Sequence, residues 1–274
     1  MTRADIPAGM RLKDIAGWNQ TPVDWERFLA PSPDGCFAAE VEGRVVGTAT
    51  TIVYEGRFAW IGMVLVDPVC RGRGIGTRLL EKTIEHLDAL QVPAMKLDAT
   101  PQGKPIYEKL GFVTEYEIER WVLRRGASAA SVPPGPTAAD LGAILALDRE
   151  IFGADRGELL RSVGGDAPEF TLVVQSPDKL TGYALGRRGS RADHLGPWMA
   201  ADEASGRQLL DEFLRRSARE VIFVDCLQSN PLARPLLRSR GFEFARPLTR
   251  MYRGRNAHPG RPELLCAVLG PEFG

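Results

Sequence analysis

Five landmarks in the first half of this sequence recur in the same order in its second half, each about 130 residues further on. They are Ile61-Gly62 and Leu195-Gly196, Leu79-Leu80 and Leu209-Leu210, Asp98 and Asp225, Gly111-Phe112 and Gly241-Phe242, and Arg120 and Arg250. Such near-constant spacing indicates two tandem copies of one structural unit, because unrelated segments do not keep five landmarks in register. Strand and helix patterns follow one another within the unit, which places it in the α+β class.

Length and composition agree with two domains. The chain has 274 residues, of which 44% are hydrophobic and 26% charged, enough apolar side chains for a core in each copy. Between the copies, residues 126–137 are rich in Ala, Ser, Pro and Gly, which is typical of a linker. The sequence therefore predicts one domain over residues 1–125 and a second over residues 138–274.

Charge and hydropathy argue against nucleic acids and membranes as partners. Thirty-five basic residues balance thirty-five acidic ones, so the chain has no global field that attracts phosphate backbones or anionic lipids. The longest purely apolar run, residues 264–269, is far too short to span a bilayer, and the first residues lack a signal-peptide pattern. We expect a cytoplasmic protein.

The cysteines and histidines show no metal-ligand spacing. The four cysteines are isolated, no Cys-x-x-Cys pair occurs, and the three histidines are scattered along the chain. Zinc and iron–sulfur sites need clustered ligands, so we expect no bound metal.

The first copy begins its sheet with an antiparallel meander. Residues 36–41, 45–54 and 58–66 are rich in Val, Ile, Thr and aromatic side chains, and short Glu-Gly-Arg turns separate them. The third run is apolar on both faces, which predicts a central strand, and Asp67-Pro68 ends it.

A glycine-rich loop follows this central strand. It reads Arg-Gly-Arg-Gly-Ile-Gly over residues 71–76 and leads directly into an amphipathic helix predicted over residues 77–90. We expect this loop to bind a polyphosphate. The helix start offers free N–H groups, the glycines let the main chain approach a ligand closely, and the two arginines add positive charge. A Walker loop would need Gly-Lys-Ser/Thr, and a dinucleotide fingerprint would need glycine at position 77, so both fail by register.

The loop matches the Gln/Arg-x-x-Gly-x-Gly/Ala signature, and residues 36–123 resemble the catalytic domain of the GNAT superfamily of N-acetyltransferases. A second recurring segment of that superfamily is matched by Ile-Tyr-Glu-Lys-Leu-Gly-Phe over residues 106–112. The resemblance implies two tandem GNAT-like domains, each a mixed, mostly antiparallel sheet flanked by helices.

The same resemblance implies acetyl-CoA as cosubstrate and assigns residues to it. The main chain of Val64, Leu65 and Val66 is expected to pair with the pantetheine arm and to polarise the thioester carbonyl. The pyrophosphate is expected on the loop and helix start, formed by Arg71, Gly72, Arg73, Gly74, Ile75, Gly76 and Thr77.

Catalysis by such a site rests on holding an amine beside the thioester, with proton transfers at two points. Tyr107 is where the resemblance places the acid that protonates the leaving thiolate; the alternative is a core aromatic. Asp98, at a strand end, and Glu55, in a hairpin turn, are candidates to accept the proton of the amine. Ion-paired carboxylates and a water relay stay open as alternatives. An Asn that the superfamily often has before the Tyr is replaced here by residues 100–105.

The second copy has lost the phosphate loop. Aligned on the paired leucines, its loop carries Asp202 and Glu203 in place of two arginines, and these carboxylates would repel a pyrophosphate. We expect this copy not to be catalytic, and it loosely resembles the C-terminal domain of certain bacterial GNAT proteins. A role in covering the acceptor pocket, with Glu55, Trp198, Asp225 and Tyr252 as substrate-binding candidates, is favoured; packing and homodimer formation stay open.

These inferences lead to one predicted function and two alternatives. The sequence predicts an acetyl-CoA-dependent N-acetyltransferase that acts on a primary amine of a small molecule. An acceptor that is a protein lysine or N-terminus is the first alternative, and a non-enzymatic acyl-CoA sensor is the second.

Overall fold

The computed structural model describes residues 1–126, 138–177 and 179–274 of the chain, so the predicted linker lies almost wholly outside the described residues. The helices are α1 Ile6–Ile15, α2 Pro22–Leu29, α3 Ile75–Ala89, α4 Lys104–Lys109, α5 Ala138–Phe152, α6 Gly157–Asp166, α7 Glu203–Arg216 and α8 Ala233–Ser239. The strands are β1 Phe37–Val41, β2 Arg44–Tyr54, β3 Phe58–Val66, β4 Ala94–Ala99, β5 Val113–Arg124, β6 Leu172–Gln175, β7 Leu180–Arg188, β8 Asp193–Ala200, β9 Val221–Leu227, β10 Glu243–Gly254 and β11 Leu265–Ala267.

All of these strands form one continuous sheet that runs through both halves. Its order is β1-β2-β3-β4-β10-β5-β9-β11-β8-β7-β6. Within the described chain the pairings are antiparallel except those of β3 with β4 and of β8 with β9. The predicted α+β class, with a mixed and mostly antiparallel sheet flanked by helices, is confirmed.

The last long strand of each copy lies in the sheet of the other copy. Strand β10 pairs with β4 of the first half, and β5 pairs with β9 of the second half, while β5 and β10 pair with each other at the centre. The division at residues 126–137 therefore separates the repeats along the sequence, but the two sheets exchange a strand across it.

Two buried ion pairs fix the register of the exchanged strands. Arg250 of β10 lies opposite Asp98 of β4 and donates from Nε and Nη2 to its two carboxylate oxygens at 2.8 and 2.9 Å. Arg120 of β5 lies opposite Asp225 of β9 and donates in the same way at 2.8 and 2.6 Å. Removing one partner would leave a buried unpaired charge, so these pairs oppose any slip of the strands.

The two faces of the first-half sheet pack against different parts of the chain. On one face, Ile61, Leu97 and Met251 form a core with helix α3 and with Tyr107 of α4. On the opposite face, a larger core includes Trp60, Met63 and Leu248 and continues into the second half as far as Phe273. Alternation along each strand therefore decides whether a side chain faces the α3 side or the second half.

The N-terminal helices close one side of this structure. Helix α2 begins after Thr21, whose backbone N–H and hydroxyl donate to Asp24 at 2.8 and 3.0 Å, as the sequence predicts from its Thr-Pro start. Its Trp25 and Phe28 are fully buried in the core shared by both halves. No helix among the described residues is long and apolar enough to cross a bilayer.

Candidate active site

A cleft opens where β3 and β4 separate. The two strands pair in parallel through Ala59 with Met95 and Trp60 with Lys96, and in the described ladder no further pair follows. From Ile61 onward β3 runs away from β4, and its main-chain N–H and C=O groups on that edge face a cleft of about 840 Å³. An unpaired strand edge is a template for an extended ligand that carries amide groups.

A bulge in β3 lies at the centre of the cleft. Thr48 pairs with Leu65 and Thr50 pairs with Gly62, so Met63 and Val64 together face the single residue between the two threonines. Met63 has a φ of +50°, and its carbonyl accepts a hydrogen bond from the Thr48 hydroxyl at 2.8 Å. A bulge redirects main-chain groups, and a non-glycine residue in the left-handed region is typical of a functional site.

The glycine loop forms one end of the same cleft. Gly72 and Gly74 have φ values of +76° and +75°, and a Cβ at either position would meet no atom within 4 Å, so the space above the loop is open. Gly74 is the N-cap of α3, which therefore starts two residues earlier than predicted. The first N–H groups of a helix have no intrahelical acceptor, so they point at this space.

Most of the residues predicted for acetyl-CoA line this cleft. These are Val64, Leu65, Val66, Arg71, Gly72, Gly74, Ile75, Gly76 and Thr77. Arg73 is exposed and does not line it, whereas Arg71 donates from Nε to the carbonyl of Val66 at 3.3 Å and so is held at the junction of strand and loop. The residues present fit a polyphosphate at the loop and an amide-bearing arm along β3.

Tyr107 reaches the cleft from α4. The residue is 9% exposed, and its ring contacts Phe112 edge-on with centroids 6.0 Å apart. Burial raises the pKa of Tyr107 to about 12, so the phenol keeps its proton at neutral pH. Its hydroxyl makes no hydrogen bond to another described residue, which leaves it free to donate to a ligand in the cleft.

Asp98 also lines the cleft, but Arg250 engages both of its carboxylate oxygens. Burial raises the pKa of Asp98, while the Arg250 guanidinium acts in the opposite direction. Arg250 itself donates to the Tyr116 hydroxyl at 2.6 Å and stacks on Trp60. The Asp98 carboxylate therefore lies at the cleft wall and also forms the ion pair that joins β4 to β10.

Glu55 lies away from the cleft, in the turn between β2 and β3. Its carboxylate binds Arg149 of α5 and accepts a hydrogen bond from the backbone N–H of Asp155 at 2.9 Å. These two bonds lower the pKa of Glu55 to about 2. The structure therefore places this residue at a surface contact between the two halves.

The other three predicted acceptor residues do not line the cleft either. Trp198 is fully buried in the core of the second half. Burial alone would raise the pKa of Asp225, but Arg120 and His194 hold it well below its usual range. Tyr252 is half-buried on β10, opposite Lys96 of β4. The second half does cover the cleft, but with other residues.

The sequence patterns did not identify the residues of the second half that do line the cleft. Arg246 and Leu248 of β10 and Pro271 and Glu272 after β11 line the cleft, together with Gln20 between α1 and α2. None of them belongs to a motif, and four of them come from a distant part of the chain. Arg246 and Leu248 reach the first-half cleft because β10 is inserted beside β4, whereas Pro271 and Glu272 reach it in the segment after β11. No local sequence pattern reveals either arrangement.

The equivalent opening in the second half is filled. Strands β8 and β9 pair from Asp193 with Ile222 to Leu195 with Val224, and where they separate, β11 lies between them. Ala267 of β11 pairs with both neighbours, and the Val268 carbonyl lies 1.9 Å from where a Cβ on Gly196 would stand. The chain therefore occupies its own second cleft.

The second helix start is also occupied. Asp202 is the N-cap of α7, and its carboxylate accepts a hydrogen bond from the backbone N–H of Ser205 at 2.8 Å. That bond lowers the pKa of Asp202, so it stays ionised at the place where a phosphate would bind. The Asp202 side chain therefore occupies a backbone N–H group at the start of α7 that an anion would otherwise bind.

Comparisons with known proteins match both halves. A family model described as "Acetyltransferase (GNAT) family" matches residues 11–112, and a second, described as "Acetyltransferase (GNAT) domain", matches residues 144–267. A solved structure, a putative acetyltransferase from Pyrococcus horikoshii, superposes with a TM-score of 0.82 at 22% identity and covers 100% of this chain and 94% of that one.

Two curated relatives are similar to this chain in sequence. Holothin acyltransferase of a Pseudoalteromonas species is 27% identical over 260 residues, which cover 94% of this chain and 87% of the relative. An acetyltransferase of Sodalis glossinidius is 35% identical over 112 residues, which cover 40% of this chain and 75% of the relative.

Proposed function

Since this chain belongs to the GNAT family of acetyltransferases, with two GNAT domains in tandem, we propose that it transfers the acetyl group of acetyl-CoA to a primary amine of a small molecule. The observation that carries the proposal is the meeting of three features in one cleft. They are the open edge of β3, the glycine loop at the start of α3, and the protonated phenol of Tyr107.

We assign acetyl-CoA binding to the first half alone. The N–H groups of the loop from Arg71 to Thr77 would hold the pyrophosphate, and the edge of β3 from Val64 to Val66 would pair with the pantetheine arm. Arg71 adds a positive charge at the loop, and the exposed Arg73 would contact the pyrophosphate from the solvent side. Acetyl-CoA supplies an activated thioester, so the protein needs only to position and polarise it.

The reaction proposed for this cleft is direct attack. The neutral amine nitrogen forms a bond to the thioester carbonyl carbon, the C–S bond breaks, and the nitrogen loses a proton. Tyr107 donates its proton to the departing sulfur and regains one from solvent. Its raised pKa supports this role, because a phenol that stays protonated is available as a donor across the neutral range.

The proton of the incoming ammonium must leave before attack. Asp98 is the proposed acceptor because it lines the cleft wall, and a water molecule would have to carry the proton, since Arg250 covers both carboxylate oxygens. A relay that ends on solvent instead is the alternative. An Asp98→Asn variant that keeps the fold and full activity over the neutral range would assign the step to water alone.

A small-molecule acceptor is favoured over a protein one by the cover on the cleft. Arg246, Leu248, Pro271 and Glu272 of the second half form part of the cleft wall, which restricts access for a folded chain. One relative that matches nearly the whole chain is named for holothin and not for a protein. We assign the second domain, residues 138–274, to this covering role.

Turnover of a panel of primary amines tests the proposal. The full chain is incubated with acetyl-CoA and each amine, free CoA thiol is measured, and the product is identified by mass spectrometry. We expect thiol release that depends on the amine, and one acetyl-CoA bound per chain by calorimetry. Binding without turnover of any amine would favour the sensor, and preferred acetylation of lysine peptides would favour a protein acceptor.

A further inference from the structure

Arg246 presents an unpaired guanidinium to the cleft. It is half-buried on β10 and, among the described residues, makes no hydrogen bond or ion pair. Burial lowers the pKa of Arg246 and the positive charge of Arg120 acts in the same direction, while the carboxylates of Asp225 and Glu272 act in the opposite direction. A partly desolvated cation without a partner is unfavourable in the free protein, so the position favours an anionic ligand.

The anion expected at Arg246 is not the pyrophosphate of the cosubstrate. Strand alternation puts Arg246, Leu248 and Arg250 on one face of β10, and Leu248 belongs to the core shared with the second half. Met251, on the other face, packs with the α3 side. Because the glycine loop leads into α3, Arg246 lies on the face opposite the phosphate site.

Arg120 does not compete for the same role. It lies directly opposite Arg246 in the ladder and also lines the cleft. Its Nε and one Nη donate to the two oxygens of Asp225, so this pair of guanidinium donors is already used. Arg120 adds positive charge nearby. The guanidinium of Arg246 keeps its donors free and could bind a carboxylate through two parallel hydrogen bonds.

Glu272 also lines this cleft, but its carboxylate is held in a buried ion pair. The residue is 3% exposed, and Arg187 binds its Oε1. Its backbone carbonyl lies 2.6 Å from where a Cβ on Gly62 would stand, which places the main chain of this residue against β3 beside the Met63 bulge. The Glu272 carboxylate is therefore matched by Arg187 and does not neutralise Arg246 by a direct ion pair.

An unpartnered acceptor lies in the same wall. Gln20 is 6% exposed, lines the cleft, and its Oε1 has no hydrogen-bond partner. Buried acceptors without donors are rare in folded proteins, because each lost hydrogen bond destabilises the fold. The unpaired oxygens of Gln20 and Glu272 are both buried and not open to the cleft, so Arg246 is the group that remains, among the described residues, without a hydrogen bond or ion pair at the cleft wall.

On these observations we propose that the acceptor is an amino carboxylate, a molecule that carries both an ammonium and a carboxylate group. The amine is the group that the proposed reaction acetylates, and Arg246 binds the carboxylate. A simple amine would leave the guanidinium of Arg246 unpaired. This inference rests on the proposed function, since it names the substrate class of the same cleft.

Matched acceptors test the proposal in the wild-type protein. Common L-amino acids are compared with their carboxamides, which keep the amine and side chain but lack the carboxylate, and release of CoA thiol is measured. We expect kcat/KM to be about 10- to 100-fold higher for the best amino acid than for its amide, the range of one charge-assisted hydrogen bond or bidentate pair. Equal use of acids and amides would overturn the proposal.

A variant of Arg246 and a matched control test the role of this residue. Arg246→Gln should raise KM for the amino acid about 10- to 100-fold and leave the amide unaffected, which removes the preference. The control is Arg253→Gln, since Arg253 lies on the same strand and pairs with Asp88 at the surface; it should preserve the preference.

The outcomes keep this inference separate from the proposed function. An Arg246→Gln protein that retains the preference for acids would refute the amino-carboxylate proposal while acetyl transfer stood. If no amine released CoA, the proposed function would fail, and the CoA-loaded chain would be titrated with the same amino acids by calorimetry. Binding that is lost in Arg246→Gln would then support the carboxylate site, and no binding of any amino acid would refute it.

Discussion

The two halves of this protein contain equivalent clefts, of which one is open and the other is filled. In the first half β3 separates from β4 and leaves an open cleft, whereas in the second half β11 lies between β8 and β9 and closes the equivalent opening. The helix starts differ in parallel, since Gly74 leaves the start of α3 free and Asp202 caps the start of α7. A duplicated fold can thus keep its packing while one of its two clefts is filled by its own chain.

The filled cleft also changes the open one. The segment that fills the second cleft runs past Gly196 and then reaches Gly62, where Glu272 enters the first cleft. A single stretch of chain therefore fills the second cleft and forms part of the wall of the first. The second half contributes to the site through this segment and through β10, and it does so without a cofactor loop of its own.

The largest expected effect comes from a substitution at the start of α3, compared with one at the start of α7. Gly74→Glu places a side chain where φ is +75° and a carboxylate where the pyrophosphate is proposed, so no acetyl-CoA binding should be measurable by calorimetry. The matched variant is Ala204→Glu, at an exposed position in the first turn of α7, which should bind one acetyl-CoA per chain like the wild type. Binding that survives Gly74→Glu would place the cosubstrate elsewhere.

The second prediction breaks an ion pair of the exchanged strands. Arg250→Met leaves Asp98 buried without its cation, and we expect a loss of about 3 to 5 kcal/mol in the free energy of unfolding, measured by denaturant titration. Adding Asp98→Leu should restore much of this loss, because an apolar pair replaces the lone charge.

The equivalent pair of the second half is the comparison for that result. Arg120→Met should destabilise less than Arg250→Met, because Asp225 keeps His194 within 3.1 Å as a second partner. Equal losses for the two arginine variants would show that the histidine does not compensate for the missing guanidinium.

Next in size is the effect at Tyr107. Tyr107→Phe should leave the affinity for acetyl-CoA unchanged and lower kcat by roughly 100-fold, the contribution of a general acid. Because burial raises the pKa of Tyr107 to about 12, the wild-type enzyme should show no alkaline loss of kcat from this group below about pH 11. A fully active Phe variant would assign the proton to water.

The smallest effect concerns the surface contact between the halves at Glu55. Its pKa in the folded protein, about 2, lies below its ordinary value of 4.5, so its contribution to stability is present above pH 4.5 and is lost as the pH falls towards 2. Glu55→Gln should lower the melting temperature by only about 1 to 2 °C at pH 7, and by nothing near pH 2. Glu81→Gln, an exposed carboxylate of α3, is the control. A difference that grows on acidification would contradict the assignment.

Much of the first half could be predicted from local pattern. The strand predicted over residues 58–66 matches β3, and the one over 45–54 matches β2 except at its first residue. The glycines reveal the loop because left-handed φ values and a helix start leave a local mark in sequence. The distant residues of the cleft wall leave no such mark, since Arg246, Gln20 and Glu272 are single residues whose position depends on what lies opposite them.

The sequence by itself determined the repeat, the α+β class, the glycine loop before a helix and the acidic residues that replace this loop in the second copy. Each of these follows from periodicity, glycine placement or charge within a few tens of residues. Tertiary structure alone decided which copy each last strand joins, because Asp98 and Asp225 occupy matching positions in the two copies, as do Arg120 and Arg250, and either Asp could pair with either Arg. The observed pairings join residues more than 100 positions apart in sequence, and the insertion of β10 brings Arg246 to the cleft.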